Sequence, residues 1–178
     1  VVGGFSLTGS LDHVHKGKMV RYRYARVKGK DLMGSWMAHL ALNAVRAEGY
    51  PRRTVLAGLT GKSGKERGRL FYEYEPVEGG KEILEGLLKR YWEGLREPLH
   101  FFPEISWLYA ELRLAKAKSR EVALERARKA WEGGNWGRGE VEDPYYQLCF
   151  GRTDPIDSQF EEIALEVFEP LLKVVKKE

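Results

Sequence analysis

Asp12, Arg21 and Arg23 lie on two neighbouring segments at the spacing of a metal-dependent hydrolytic site, with bases where acids belong. Phe5, Leu7, Leu11 and Val14 spell a mostly apolar strand. Lys16-Gly17-Lys18 is a short turn with the glycine that hairpins favour, and Met19 to Tyr24 is a second strand rich in β-formers. On such a hairpin, a carboxylate on the first strand and a carboxylate two residues before a lysine on the second would hold Mg²⁺ and orient a water for phosphodiester hydrolysis. Asp12 takes the first of these positions, Arg21 the second and Arg23 the lysine position. Mg²⁺ demands hard oxygen ligands in an octahedron, and a guanidinium offers only donors. One carboxylate beside two permanent cations does not hold that ion. The expectation is a degenerate site at Asp12, Arg21 and Arg23 with no catalytic residue, no bound metal and no cofactor. An active enzyme would need a displaced carboxylate such as Asp31 or Glu48.

The same stretch is strongly basic. Lys16, Lys18, Arg21, Arg23, Arg26, Lys28 and Lys30 fall within fifteen residues, Arg21 and Arg23 on one face of their strand and Tyr22 and Tyr24 on the other. Residues 1–69 carry fourteen Lys and Arg against four Asp and Glu, and residues 70–178 carry sixteen against twenty-two. Asymmetry of that size points to nucleic acid or an acidic partner. The seven cations fit a phosphate-tracking surface, each contact releasing a counterion. They also fit a solvated strand edge protected by charge, or a surface for an acidic partner subunit.

Other features carry less. Gly61-Lys62-Ser63 ends like a phosphate-binding loop, but that motif needs a glycine at 56, where Leu56 stands, so a flexible basic hairpin loop is expected. His13 and His15 would share a strand face with no third ligand in sequence. Trp36 and Trp92 lie on apolar helix stripes and read as core, as does the lone thiol of Cys149, while Trp136 in the Gly133–Gly139 loop reads as an exposed contact. His39 reads as a partly buried helix histidine.

These residues need elements to hold them. With 178 residues, 43% hydrophobic and 12% aromatic, the chain can fill one core. It has no apolar run long enough for a membrane span and no signal peptide, which with the lone cysteine favours the cytoplasm. It opens at Val1 and is read as the C-terminal fragment of a longer chain. After the hairpin, Asp31 is expected to cap a helix over Leu32, Met33, Trp36, Met37, Leu40, Ala41 and Ala44, ending near Gly49 and Pro51. Strands are expected over Thr54–Leu59 and Arg69–Tyr74, then a helix from Glu82 to Pro98 along Ile83, Leu84, Leu87, Leu88, Tyr91, Trp92 and Leu95. Helices over Glu104–Lys116, Arg120–Trp131 and Pro144–Phe150 follow, and a last one over Gln159–Lys176, begun by a Ser158/Glu161 capping box and kinked at Pro170. The order β-β-α-β-β followed by about four helices makes one α+β domain over 1–178.

Leu7-Thr-Gly9, Trp36-Met-Ala-His39-Leu40, Tyr91-Trp-Glu-Gly94-Leu-Arg96-Glu-Pro98-Leu99, Phe102-Pro103-Glu104, Asp143-Pro-Tyr-Tyr146 and Phe168-Glu-Pro170-Leu171-Leu172 stand in an order that resembles one family along nearly the whole chain. It is the C-terminal domain of the exodeoxyribonuclease V gamma subunit, the RecC component of the bacterial RecBCD helicase–nuclease. The resemblance implies a restriction-nuclease-like (PD-(D/E)XK-type) sheet with flanking helices that has lost its catalytic residues. It further implies a scaffold and DNA guide, touching a duplex end or separated strands, docked to the beta and alpha subunits of a complex that repairs double-strand breaks for recombination. A pure subunit-interaction module is the other non-enzymatic reading.

Overall fold

Met19–Arg26 alternates in burial along its length and forms strand β1, Met19 wholly covered and Tyr22, Tyr24 and Arg26 turned to solvent. The computed structural model describes residues 1–45, 48–60, 68–134, 137–151 and 153–178. Helix α1 (Gly29–Val45) follows at once and begins two residues before the expected cap. Asp31 still closes its first turn, its carboxylate accepting from the Lys28 backbone N–H at 2.8 Å. Strand β2 (Thr54–Leu59) then pairs with β1 in parallel, Met19 beside Thr54, and α1 is the crossover that a parallel pair requires. Strand β3 (Arg69–Tyr74) runs antiparallel to β2, with Thr54 beside Tyr74. Near the chain's end β6 (Val175–Lys177) runs antiparallel to β3, giving the order β1-β2-β3-β6.

The hairpin expected at the start is absent. Residues 6–12 form no strand, and backbone pairing of the preceding segment with β1 is limited to a bridge between Val14 and Met19 and a Val20 N–H to His13 carbonyl bond of 3.0 Å. Ser6, Thr8, Gly9 and Ser10 give this stretch little apolar surface to bury, and Leu7 is itself half exposed. Nothing fixes a register there. The order is therefore β-α-β-β rather than β-β-α-β-β. The α+β class stands, but the restriction-nuclease-like arrangement loses the pairing on which it rested. Nor do His13 and His15 share a strand face, because His13 turns in the left-handed region at φ 58°.

The chain packs as two compact units, Val1–Tyr91 with Lys173–Glu178, and Trp92–Leu172. In the first, Trp36, His39 and Tyr74 stack between α1 and the sheet, ring centroids 5.5 to 6.4 Å apart. Gly58 is fixed by close approach, since a Cβ there would meet Val27 Cγ2 at 2.3 Å. Helix α2 (Gly80–Gly94) leaves Tyr91, Trp92 and the following Leu95 outside the core, Trp92 49% exposed beneath the Arg96 guanidinium. The expected core role of Trp92 is thus corrected.

The second unit is helical. Helix α3 (Pro103–Ala110) passes into a wider π-turn over Glu111–Ala115, and α4 (Arg120–Glu132) is capped by Ser119. Two-residue strands β4 (Gly133–Gly134) and β5 (Gly137–Arg138) pair antiparallel, and a Cβ on Gly133 would strike the Gly139 backbone at 2.2 Å. Trp136 and the Gly61–Ser63 loop lie outside the described residues. Helix α5 (Pro144–Phe150) is capped by Asp143 and faces the core with Tyr146 and Phe150, one turn apart, which leaves Cys149 exposed rather than packed. Phe102 is the centre of this core, 4.7 Å from Trp131 and 5.0 Å from Tyr146.

Helix α6 (Ser158–Leu172) stops short of the expected Lys176, which lies in β6, and its cap also corrects the expectation. Asp157, not Ser158, receives the Phe160 N–H at 3.0 Å. Glu161 is buried, takes the Tyr109 hydroxyl at 2.6 Å and binds Arg120 through both carboxylate oxygens. Burial pushes this carboxyl up, yet the bonds from Arg120 and Tyr109 outweigh it and hold the group below the usual range. No helix among the described residues is long and apolar enough to cross a membrane.

Candidate nucleic-acid interface

The two faces of β1 divide the basic segment into two classes. Met19, Arg21 and Arg23 point toward α1, where the sheet is covered. Arg23 Nη1 bonds the Asp31 carboxylate at 2.7 Å, and its Nε is buried with no partner among the described residues. Arg21 is half-buried on the same face, near enough to Tyr74 for its charge to favour the phenolate, though burial dominates and drives that phenol far upward. Deeper in, His39 Nδ1 meets Thr54 Oγ1 at 2.8 Å and Nε2 lies 3.0 Å from the Glu75 carbonyl. His39 is fully rather than partly buried, and burial lowers its pKa from the ordinary 6.5 to about 4. Asn43 ties His39's turn to Arg52 and Val77. This side of the sheet is a fixed polar core, bonded internally except at Arg23 Nε and Trp36 Nε1 among the described residues.

Sequence spacing concealed the division, because alternation shows which residues share a face but not which face the helix covers. The Arg23–Asp31 pair holds a cation partly out of water, so removing its partner costs more than an exposed pair would. Asp31→Asn should destabilise the protein by about 1–2 kcal/mol in denaturant melts. An unchanged melting midpoint in the variant would contradict the structural role given to Arg23.

The outer side is open. Lys16 and Lys18 occupy the turn closed by the His15 N–H to Lys18 carbonyl bond, Arg26 ends β1, and Lys28 and Lys30 follow in the connector and the first turn of α1, all exposed. Lys18 lies 3.7 Å from Glu73, a loose pair. A shallow cleft beside it, between Lys18, Arg53, Glu73 and Glu75, is locally neutralised, since Arg53 and Lys176 both hold Glu75 at 2.9 Å. Hydrogen bonding from Lys176 holds the Glu75 carboxyl below its usual range. Between the two groups of cations stand Tyr22 and Tyr24, 71% and 88% exposed. The alternation that sets Arg21 and Arg23 on one face of the strand sets these tyrosines on the other.

Asp12 is exposed on the unpaired segment, with no ion pair to either arginine among the described residues. Asp31, one candidate for a displaced ligand, is committed to Arg23 and the Lys28 N–H. Among the described residues no three His, Cys, Asp or Glu side chains are grouped to hold a metal ion.

Comparison with known proteins agrees with the motifs of the first half. A family model described as the RecC C-terminal domain matches residues 1–114. The RecBCD enzyme subunit RecC of Mycolicibacterium smegmatis is 32% identical over 111 residues, which cover 62% of this chain and 10% of that relative. The chain therefore corresponds to a small part of that relative's length, and the Asp143–Tyr146 and Phe168–Leu172 motifs lie beyond the residues the family model matches.

Proposed function

Because this chain belongs to the RecC C-terminal domain family, we propose that it is a non-catalytic domain guiding DNA through a helicase–nuclease complex that processes double-strand breaks. The observation that carries the DNA half is the row of exposed cations, Lys16, Lys18, Arg26, Lys28 and Lys30, at the edge strand of an otherwise internally paired sheet. Such a row tracks phosphates without reading bases, because point charges on flexible stems fix position and not sequence. Arg21 and Arg23 are left out of the interface, as they face the covered side. The motors and the cutting site then belong to the beta and alpha subunits of the same cytoplasmic complex, and this domain works by holding the path between them. The exposed Tyr91, 63% accessible, favours a docking role toward those subunits alongside DNA contact.

The non-catalytic half rests on chemistry: Arg21 and Arg23 offer a metal ion only donors, and Asp12 is the lone carboxylate of the motif. The purified parent complex carrying Asp12→Ala should degrade linear DNA with Mg²⁺ at the wild-type rate. Metal-dependent cleavage that disappears with Asp12 would overturn this reading and restore an active nuclease.

A further inference from the structure

We infer that the outer face of β1 is a stacking platform for the unpaired bases of single-stranded DNA, with Tyr22 and Tyr24 as its rings; this deepens the DNA-guiding reading and rests on it. Exposed tyrosines at i and i+2 present their rings on one side of a strand, about 6.8 Å apart. That is close to twice the roughly 3.4 Å rise of a stacked duplex strand. Each ring can therefore take one base only from a strand drawn out of its helical stack. Duplex DNA, its bases paired inward, has none to offer.

Local geometry supports the role. The His13 ring lies 5.9 Å from Tyr22 and buttresses it from one side. On the other side the neighbour across the ladder is Ala57, too small to cover the ring, with Phe71 next in the same row. Between Tyr22 and Arg26 the register slips, so that four steps along β1 match two along β2. The register shift falls in the stretch that holds Tyr24, whose side chain is 88% exposed. A strand lying along β1 would then find Lys16 and Lys18 at one end and Arg26, Lys28 and Lys30 at the other. The anions near this face are paired, Glu73 facing Lys18 at 3.7 Å and Glu75 held by Arg53 and Lys176 at 2.9 Å. Aromatic rings flanked by cations are what sequence-tolerant single-strand binding requires.

The test uses the protein in its native complex, with oligo-dT and an abasic oligonucleotide of equal length as probes. Tyr22→Ala/Tyr24→Ala should lower the ratio of dT to abasic affinity at least about fivefold, with abasic binding nearly unchanged. Tyr22→Phe/Tyr24→Phe should keep the wild-type ratio. Oligonucleotides bearing 5-iododeoxyuridine should photo-crosslink to the peptide holding Tyr22 and Tyr24. An unchanged ratio with no such crosslink overturns the platform, and so does equal weakening on both probes. If that happens while loss of the exposed cations still flattens the salt dependence, the DNA-guiding reading stands alone; if the salt dependence is also unchanged, both fail. Should the double variant not assemble, Tyr24→Ala alone, at a side chain 88% exposed, carries the same measurement. Failure of that variant to assemble would assign the strand edge to a protein partner and overturn the proposal.

Discussion

Changing Lys16, Lys18, Arg26, Lys28 and Lys30 together to Gln is expected to lower the slope of log K against log salt by up to about 4.5 for duplex DNA, at roughly 0.9 per phosphate contact. On single strands the loss should be nearer about 0.7 per contact. Over a fourfold rise in salt the duplex figure amounts to about 2.7 decades of affinity, so the effect is large even if only some of the five side chains reach phosphates. These side chains are exposed, and none belongs to the buried cluster of His39, Trp36 and Tyr74, so melting temperature should hardly move. Base preference should stay as it was, because the lost contacts carry no sequence information. Arg23→Gln provides the contrast: it should weaken folding and spare the salt slope. A wild-type slope in a properly assembled five-residue variant would give these charges to solvent or to an acidic partner.

The second large effect concerns pH. His39 is buried, and its folded-state pKa is depressed from 6.5 to about 4. Below pH 6.5 the unfolded chain gains a proton at this imidazole while the folded chain does not, so the unfolded state binds more protons and stability falls as pH falls. The contribution is fully present above pH 6.5. It is lost at up to about 1.4 kcal/mol per pH unit, hence about 2 kcal/mol by pH 5, before carboxylates add their own losses. His39→Gln should be less stable at pH 7, since it disturbs the bonds to Thr54 and Glu75, yet its stability should vary much less between pH 6.5 and 5. Denaturant titrations at several pH values measure this directly. An equal pH slope in wild type and variant would show that the group carrying the dependence lies elsewhere.

Much of the fold was legible from local signals. Strands Thr54–Leu59 and Arg69–Tyr74 and the helix Pro144–Phe150 match the pattern and punctuation that foretold them. What failed were inferences needing a partner in space. The segment before Lys16 has alternating apolar residues, but alternation cannot say whether a second strand will accept it, and β1 instead found Thr54–Leu59 across a helix. The parallel pairing followed from that choice. Trp92 and Cys149 were read as core from residue type, though an apolar stripe buries only the part that meets another element. Glu161 stands where a capping box would place it, and was drawn inward by Tyr109 and Arg120, residues 52 and 41 positions away in sequence. In the candidate site, the charges were legible and their sidedness was not. Which arginines face α1 is decided by the Asp31 contact, and that contact exists only once the helix has folded back on the strand.

Lysine acetylation footprinting of the parent complex, with and without DNA, tests the central claim most directly. If the outer edge of β1 guides DNA, then Lys16, Lys18, Lys28 and Lys30 are reactive in the free complex, become protected when DNA is loaded, and regain reactivity as salt is raised. Protection of these lysines in the absence of DNA, unchanged on its addition, would mean that a partner subunit covers them and would contradict the account.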